Sequence, residues 1–292
     1  MFPVTGKPDW NREGVDWPNR ETSRFLVAGG LRWHVQIMGE GPPLLLLHGA
    51  GAATHSWRDF APILARDFTI IAPDLPGHGF TQTPGGAGLS LPGMARALTA
   101  LLAALQVEPV GAVGHSAGAA IALRLRLDGR GLGGGVVSLN GALQPFGGGA
   151  GHVFSALAKA LFVNPLAVRL FAWRAAQPGA VERLIESTGS RIDAAGLSQY
   201  ARLMRTTGHV DGALGMMASW NLPPLLADLP RLSGPLTLVA AQNDLAVPPK
   251  VARDTLALAP AAQVVDLPGL GHLAHEEDPG LVAGIVRRAL LS

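Results

Sequence analysis

Short unbroken apolar runs recur along the chain, separated by stretches in which apolar residues return every three or four positions. Runs of four to six residues rich in Val, Ile and Leu suit strands buried on both faces, where neither side of the pleat meets water. Six such runs stand out: LLLLH at 44–48, TIIAP at 69–73, PVGAVG at 109–114, VVSLN at 136–140, LTLVAA at 236–241 and QVVDL at 263–267. Two further runs, in SRFLVAGGLRWHVQIMG, meet at Ala28-Gly29-Gly30 and predict an antiparallel hairpin at a sheet edge. Helical patterns fall between the runs, in SWRDFAPILARD and LPGMARALTALLAALQ. A last helix is predicted over 279–290, with Pro279 in its first turn, where a missing N–H costs nothing. The alternation predicts an α/β fold, a mostly parallel central sheet with helices on both faces.

The rhythm breaks once. From about residue 141 to 232 no strand pattern appears; the region opens with PFGGGAG and continues as helical pieces heavy in Leu, Ala, Phe and Met. A helical insertion after the sixth strand reads as a lid over the sheet's carboxyl edge, where open α/β sheets bind ligands. The expected organisation is an N-terminal extension over 1–22, a core built from 23–141 and 233–292, and a helical lid over 142–232. GRGLGGG at 129–135 reads as a surface loop.

Composition narrows the function classes. With 292 residues, 48% hydrophobic and 15% charged, the chain can bury a large core and is not disordered. The net charge of +2, with no Lys/Arg block, leaves no footprint for nucleic acid. The absence of cysteine excludes disulfides, thiol catalysis and cysteine-ligated metals. The nine histidines show no metal-ligand spacing, and no G-x-G-x-x-G follows a strand, so neither metal nor cofactor is expected. The N-terminal residues carry no apolar leader, and the apolar stretch at 155–173 is interrupted by Lys159, Asn164-Pro165 and Arg169. The expectation is a soluble cytoplasmic protein, with contact between that stretch and a membrane surface left open.

The candidate chemistry centres on VGHSAGAA. Gly114 and Gly118 bracket Ser116 where a buried strand meets a small-residue helix, the pattern of a nucleophile elbow. Such a turn lifts the serine Oγ clear of the sheet and leaves the Ala117 N–H at a helix N-terminus. A serine hydroxyl needs a base. His272, in DLPGLGHLAHEEDP just after the last predicted strand, is the candidate, preferred over His275, which is read as facing the helix that follows. Asp244, in LTLVAAQNDLAVPP, is the candidate acid; its plainer alternative is an Asx-turn. The position after the preceding strand holds the uncharged Asn140. A second oxyanion donor is expected at the Ala50 N–H, in the bendable loop HGAG at 48–51, with His48 bracing it. His115 reads as a packing residue, Asp74 as a local hydrogen-bonding group, and His152 and His209 as lining a cavity or the surface of the lid.

From these pieces the chain resembles the α/β-hydrolase superfamily over about residues 25–291. The resemblance is carried by LLLLHGAGAATHSW, IAPDLPGHGFT, VGHSAGAA, AAQNDLAVPP and GLGHLAHEEDP. Within it, DWPNRETSRFLVAGGLRWHVQIMG, LSLPGMARAL and VSLNGALQPF are similar to BchO-type magnesium-chelatase accessory proteins of bacteriochlorophyll-making bacteria. The resemblance implies a triad of Ser116, Asp244 and His272 and an oxyanion hole at Ala50 and Ala117, but no established substrate. Epoxide hydrolases and dehalogenases of the superfamily carry aspartate where Ser116 stands.

The function expected is a serine hydrolase acting on an apolar ester, with Met216, Met217 and Trp220 as substrate contacts. A tetrapyrrole ester or related pigment intermediate follows if the narrower resemblance holds. Acyl transfer and C–C bond hydrolysis by the same triad stay open, as does a non-catalytic accessory protein that binds porphyrin or magnesium-chelatase subunits.

Overall fold

Eight strands form one sheet in the order β1-β2-β4-β3-β5-β6-β7-β8 in the computed structural model of the chain. The structure describes residues 6–129, 132–145, 173–174 and 177–291. The strands are β1 (Ser23–Ala28), β2 (Leu31–Met38), β3 (Pro43–Leu47), β4 (Thr69–Pro73), β5 (Gly111–His115), β6 (Gly135–Leu139), β7 (Leu236–Ala241) and β8 (Gln263–Leu267). β1 and β2 are the predicted hairpin and pair antiparallel, turning at Gly29 and Gly30, both at positive φ. β2 meets β4 antiparallel, and every pair from β4 to β8 is parallel.

The unbroken apolar runs are explained by burial on both faces. Along β3, Leu45 and Leu47 enter one core cluster while Leu44 and Leu46 enter the other, following the two-residue period of a strand. Helices α3 (Leu91–Leu105) and α4 (Ala117–Leu127) fill the first cluster. Phe60 and Leu64 of α2 (Phe60–Leu64) and Val282 and Val286 of the C-terminal helix (Pro279–Leu291) fill the second. The short helix α1 (Trp10–Glu13) precedes β1.

Between β6 and β7 the described residues carry α5 (Ala180–Glu186), α6 (Ala194–Met204), α7 (Thr207–Ala218) and α8 (Pro223–Asp228), with no strand among them. This is the helical insertion the sequence pattern predicts. PFGGGAG beyond Pro145, the apolar stretch up to residue 172, His152, and Arg130-Gly131 of the predicted surface loop lie outside the described residues. α8 returns to the core: Leu225 is buried in the first cluster and Asp228 pairs with Arg124 of α4 at 2.7 Å. No helix among the described residues is long and apolar enough to cross a membrane.

The register aligns the carboxyl edge of the sheet. Leu47 pairs with Gly114, His115 with Leu139, Leu139 with Val239 and Ala241 with Leu267, so the carboxyl ends of β3 and β5–β8 finish close to level. The segments leaving those ends carry Ala50, Ser116, Asn140, Asp244 and His272.

Candidate active site

Ser116 sits between β5 and α4 with φ 52° and ψ −117°, a conformation that an L-residue adopts only under strain. The glycines flanking it have no room for a side chain. A Cβ on Gly118 would lie 2.0 Å from the Leu47 oxygen, and one on Gly114 would lie 2.5 Å from the Ala119 backbone. The turn is also fixed by hydrogen bonds: the Ser116 N–H donates to the Leu139 oxygen at 3.0 Å, and the Ser116 oxygen accepts from the N–H groups of Ala119 and Ala142. Ala117 opens α4, where the first N–H groups have no intrahelical partner.

His272 leaves β8 through a loop and is 8% exposed. Its Nδ1 lies 2.7 Å from Asp244 Oδ2, and Asp244 is buried. Asp244 Oδ1 accepts the N–H groups of Ala246 and Val247 at 2.8 and 2.7 Å. The Asx-turn and the imidazole contact, weighed as alternatives from sequence, therefore coexist on separate oxygens. The acceptor carboxylate puts the proton of His272 on Nδ1 and leaves Nε2 free to accept.

Ser116, His272 and Ala50 line one cavity of about 410 Å³. The insertion supplies Ile185, Tyr200, Met204, Val210, Leu214 and Met217 to its wall, and no Asp, Glu, Lys or Arg lines it among the described residues. No direct hydrogen bond joins Ser116 Oγ to His272 among the described residues.

Of the predicted substrate contacts, only Met217 reaches the cavity. Met216 is 1% exposed within the first core cluster, and Trp220 packs against that cluster beyond the end of α7. Consecutive helical residues point about 100° apart, so one methionine facing the cavity turns the other into the core. His209 also departs from expectation. It is fully buried, donating Nε2–H to the Gly51 oxygen and accepting the Gly79 N–H, each at 3.0 Å. His275 does not face the following helix; its Nε2 lies 2.9 Å from Ser56 Oγ, beside Trp57. His48 braces its loop as predicted, through the Gly49 oxygen and the Leu75 N–H. Asp74 does more than bond locally: it accepts the Thr54 and Phe80 N–H groups and contacts His34 Nδ1, joining β2 to two loops.

These contacts set the electrostatics. Burial pushes His209 and His275 down to about 3, with nearby cations adding to the effect. Burial likewise lowers His48, and lowers His55, His78 and His115 far. For Asp74 burial works upward, yet His34 and the Thr54 N–H outweigh it and hold the carboxyl below its usual range.

A family model of the alpha/beta hydrolase fold matches residues 42–279. The chain belongs to the α/β-hydrolase family. It is 41% identical over 277 residues to the "Magnesium-chelatase 30 kDa subunit" of Rhodobacter capsulatus, covering 93% of this chain and 95% of that one. It is 38% identical over 108 residues to a "2-hydroxy-6-oxo-2,4-heptadienoate hydrolase" of Pseudomonas putida, covering 36% and 39% of the two chains. Among solved structures, the epoxide hydrolase CorEH superposes with a TM-score of 0.78 at 22% identity, covering 92% of this chain and 98% of that one.

Within this α/β-hydrolase, the sequence reading missed the groups that hold His272 in place. The His272 oxygen accepts from His115 Nε2 at 2.9 Å and from Asn140 Nδ2 at 3.1 Å, while Asn140 Oδ1 accepts the Ala241 N–H. Asn140 thus stands where another acid could have stood and ties the histidine loop to β7 instead. Nearby, buried Glu276 accepts from Ser56, Tyr200 and Arg58, and Arg58 also pairs with Asp193, the N-cap of α6. That network docks the insertion beside His272. Its members lie up to 220 positions apart in sequence, so no local pattern announces them.

Proposed function

We propose that the protein is a serine hydrolase of carboxylic esters with an apolar acyl or alcohol part. The observation that carries this reading is a strained Ser116 sharing an uncharged cavity with a His272 that is hydrogen-bonded to buried Asp244. Strain of this kind costs on the order of 1–3 kcal/mol and is kept where it serves a site.

In the proposed reaction Ser116 Oγ attacks the ester carbonyl while His272 Nε2 takes its proton. Asp244 holds the imidazole and stabilises its charged form. The oxyanion is met by the Ala50 and Ala117 N–H groups. His272 then protonates the departing alkoxide, leaving an acyl-Ser116. Water, deprotonated by the same imidazole, releases the carboxylic acid and restores the serine. We assign residues 142–232 as the lid over this cavity and 23–141 with 233–292 as the core.

A second reading is favoured by the relative named as a magnesium-chelatase subunit. There the cavity would hold a porphyrin or pigment intermediate beside chelatase components, without bond cleavage. In the first reading that relative points instead to a tetrapyrrole ester as substrate.

The test is turnover of a p-nitrophenyl ester series from acetate to dodecanoate by wild type and Ser116→Ala. Hydrolysis that rises with chain length and is lost in the variant supports the hydrolase. No Ser116-dependent turnover, together with full restoration of pigment when a deletion strain is complemented by Ser116→Ala, supports the binding protein.

A further inference from the structure

Two buried histidines hold the loop after β3 by its carbonyl oxygens. A carbonyl oxygen only accepts, so the ring nitrogen facing it carries the proton. His48 donates from Nδ1 to the Gly49 oxygen at 2.8 Å and accepts the Leu75 N–H at Nε2, 2.9 Å away. His209, from α7 of the insertion, donates from Nε2 to the Gly51 oxygen and accepts the Gly79 N–H at Nδ1. Each ring uses both nitrogens and is neutral, in keeping with the downward push of burial on both.

The peptide group is planar and trans, so its C=O and N–H point in opposite directions. Fixing the Gly49 oxygen therefore fixes the direction of the Ala50 N–H. The Gly49 oxygen has a second donor, the Ala52 N–H at 3.2 Å. That N–H lies in the same peptide plane as the Gly51 oxygen held by His209. A stiff line thus runs from His209 through the 51–52 peptide to the 49–50 peptide. The loop itself, Gly-Ala-Gly with Gly51 at φ +79°, has little stiffness of its own. His209 is in turn fixed by close packing of its helix: a Cβ on Gly212 would lie 1.9 Å from the Gly77 oxygen.

We propose that His209 is a positioning residue for the oxyanion loop, aiming the Ala50 N–H at the charge that develops on the substrate carbonyl. It follows that the loop is set only while α7 is docked, which couples the insertion to the chemistry. This inference rests on the reading of Ser116 as nucleophile.

The test uses the full chain as wild type, His209→Ala and His209→Gln, with a p-nitrophenyl ester as substrate. Competent sites are counted by endpoint fluorophosphonate labelling of Ser116, so misfolded protein drops out of the comparison. The expected result is a fall in kcat per labelled site of about 10- to 100-fold for His209→Ala, with KM within about threefold, because misaimed transition-state contacts cost rate rather than ground-state binding. His209→Gln, whose amide can donate to the Gly51 oxygen, recovers part of the loss. Values of kcat per site within about threefold of wild type in both variants, or a loss confined to KM, overturn the proposal alone. A wild type that takes no label overturns the nucleophile reading and this inference with it.

Discussion

Consider a shift from pH 7 to pH 5. His209 and His275 are fully buried and stay neutral down to about 3, whereas in the unfolded chain each titrates near 6.5. Between those values the unfolded state binds more protons than the folded one, so stability falls as pH falls. The contribution is fully present above about 6.5 and is lost progressively toward 3. From pH 7 to pH 5 each such imidazole tilts the balance toward unfolding by about 2 kcal/mol, hence about 4 kcal/mol for the pair. His48, His55, His78 and His115 are shifted in the same direction and add to the loss. Glu276 acts in the opposite sense, because burial raises it, but it is one proton against at least two. Asp74 is held low, so its share is lost as pH falls below the ordinary carboxylate value of 3.8, outside this window. Against a typical total of about 5–15 kcal/mol, a loss of this size is a large fraction. Urea unfolding followed by tryptophan fluorescence at pH 7, 6 and 5 measures it. Between pH 6 and 5 this pair alone gives a slope of about 2.4 kcal/mol per pH unit, and His275→Gln removes about half of it. Stabilities at pH 7 and 5 that agree within about 1 kcal/mol would refute the reasoning.

Other outcomes follow from the same structure. Ser116→Gly should unfold at higher urea than Ser116→Ala by roughly 1 kcal/mol, reversing the usual order, because only glycine relaxes at φ 52°. Lys7 is half-buried, but its Nζ is shut away from solvent without a hydrogen-bond partner, and that desolvation pushes it down to about 7. Its unfolded form binds the extra proton between about 7 and 10.5, so stability should rise with pH across that window, and Lys7→Met should raise the urea midpoint at pH 7 and flatten the rise. Met217→Trp should exclude long acyl chains while leaving acetate turnover, since Met217 lines the cavity; Met216→Trp should lower the thermal midpoint, as overpacking a full core typically costs about 1–3 kcal/mol.

The sheet was legible because its strands are buried on both faces, and a run such as LLLL has no other comfortable place. The proximity of Asp244 and His272 was legible too, since each closely follows a strand and β7 pairs with β8. The insertion was visible as a break in rhythm, but the facing of its side chains was not. Whether Met216 or Met217 meets the cavity depends on the roll of α7, which is set by Gly212 packing on Gly77. His209, Asn140 and Glu276 escaped for a related reason. Their partners are backbone groups and side chains distant in sequence, so their residue types alone carry no sign of what they hold.

The most direct measurement is intact-protein mass spectrometry after incubation with a fluorophosphonate, followed by peptide mapping. A single phosphonyl adduct on Ser116, absent from Ser116→Ala and strongly slowed in His272→Ala, is the result this account predicts. A folded wild type that gains no mass, or an adduct mapped to another residue, would contradict it.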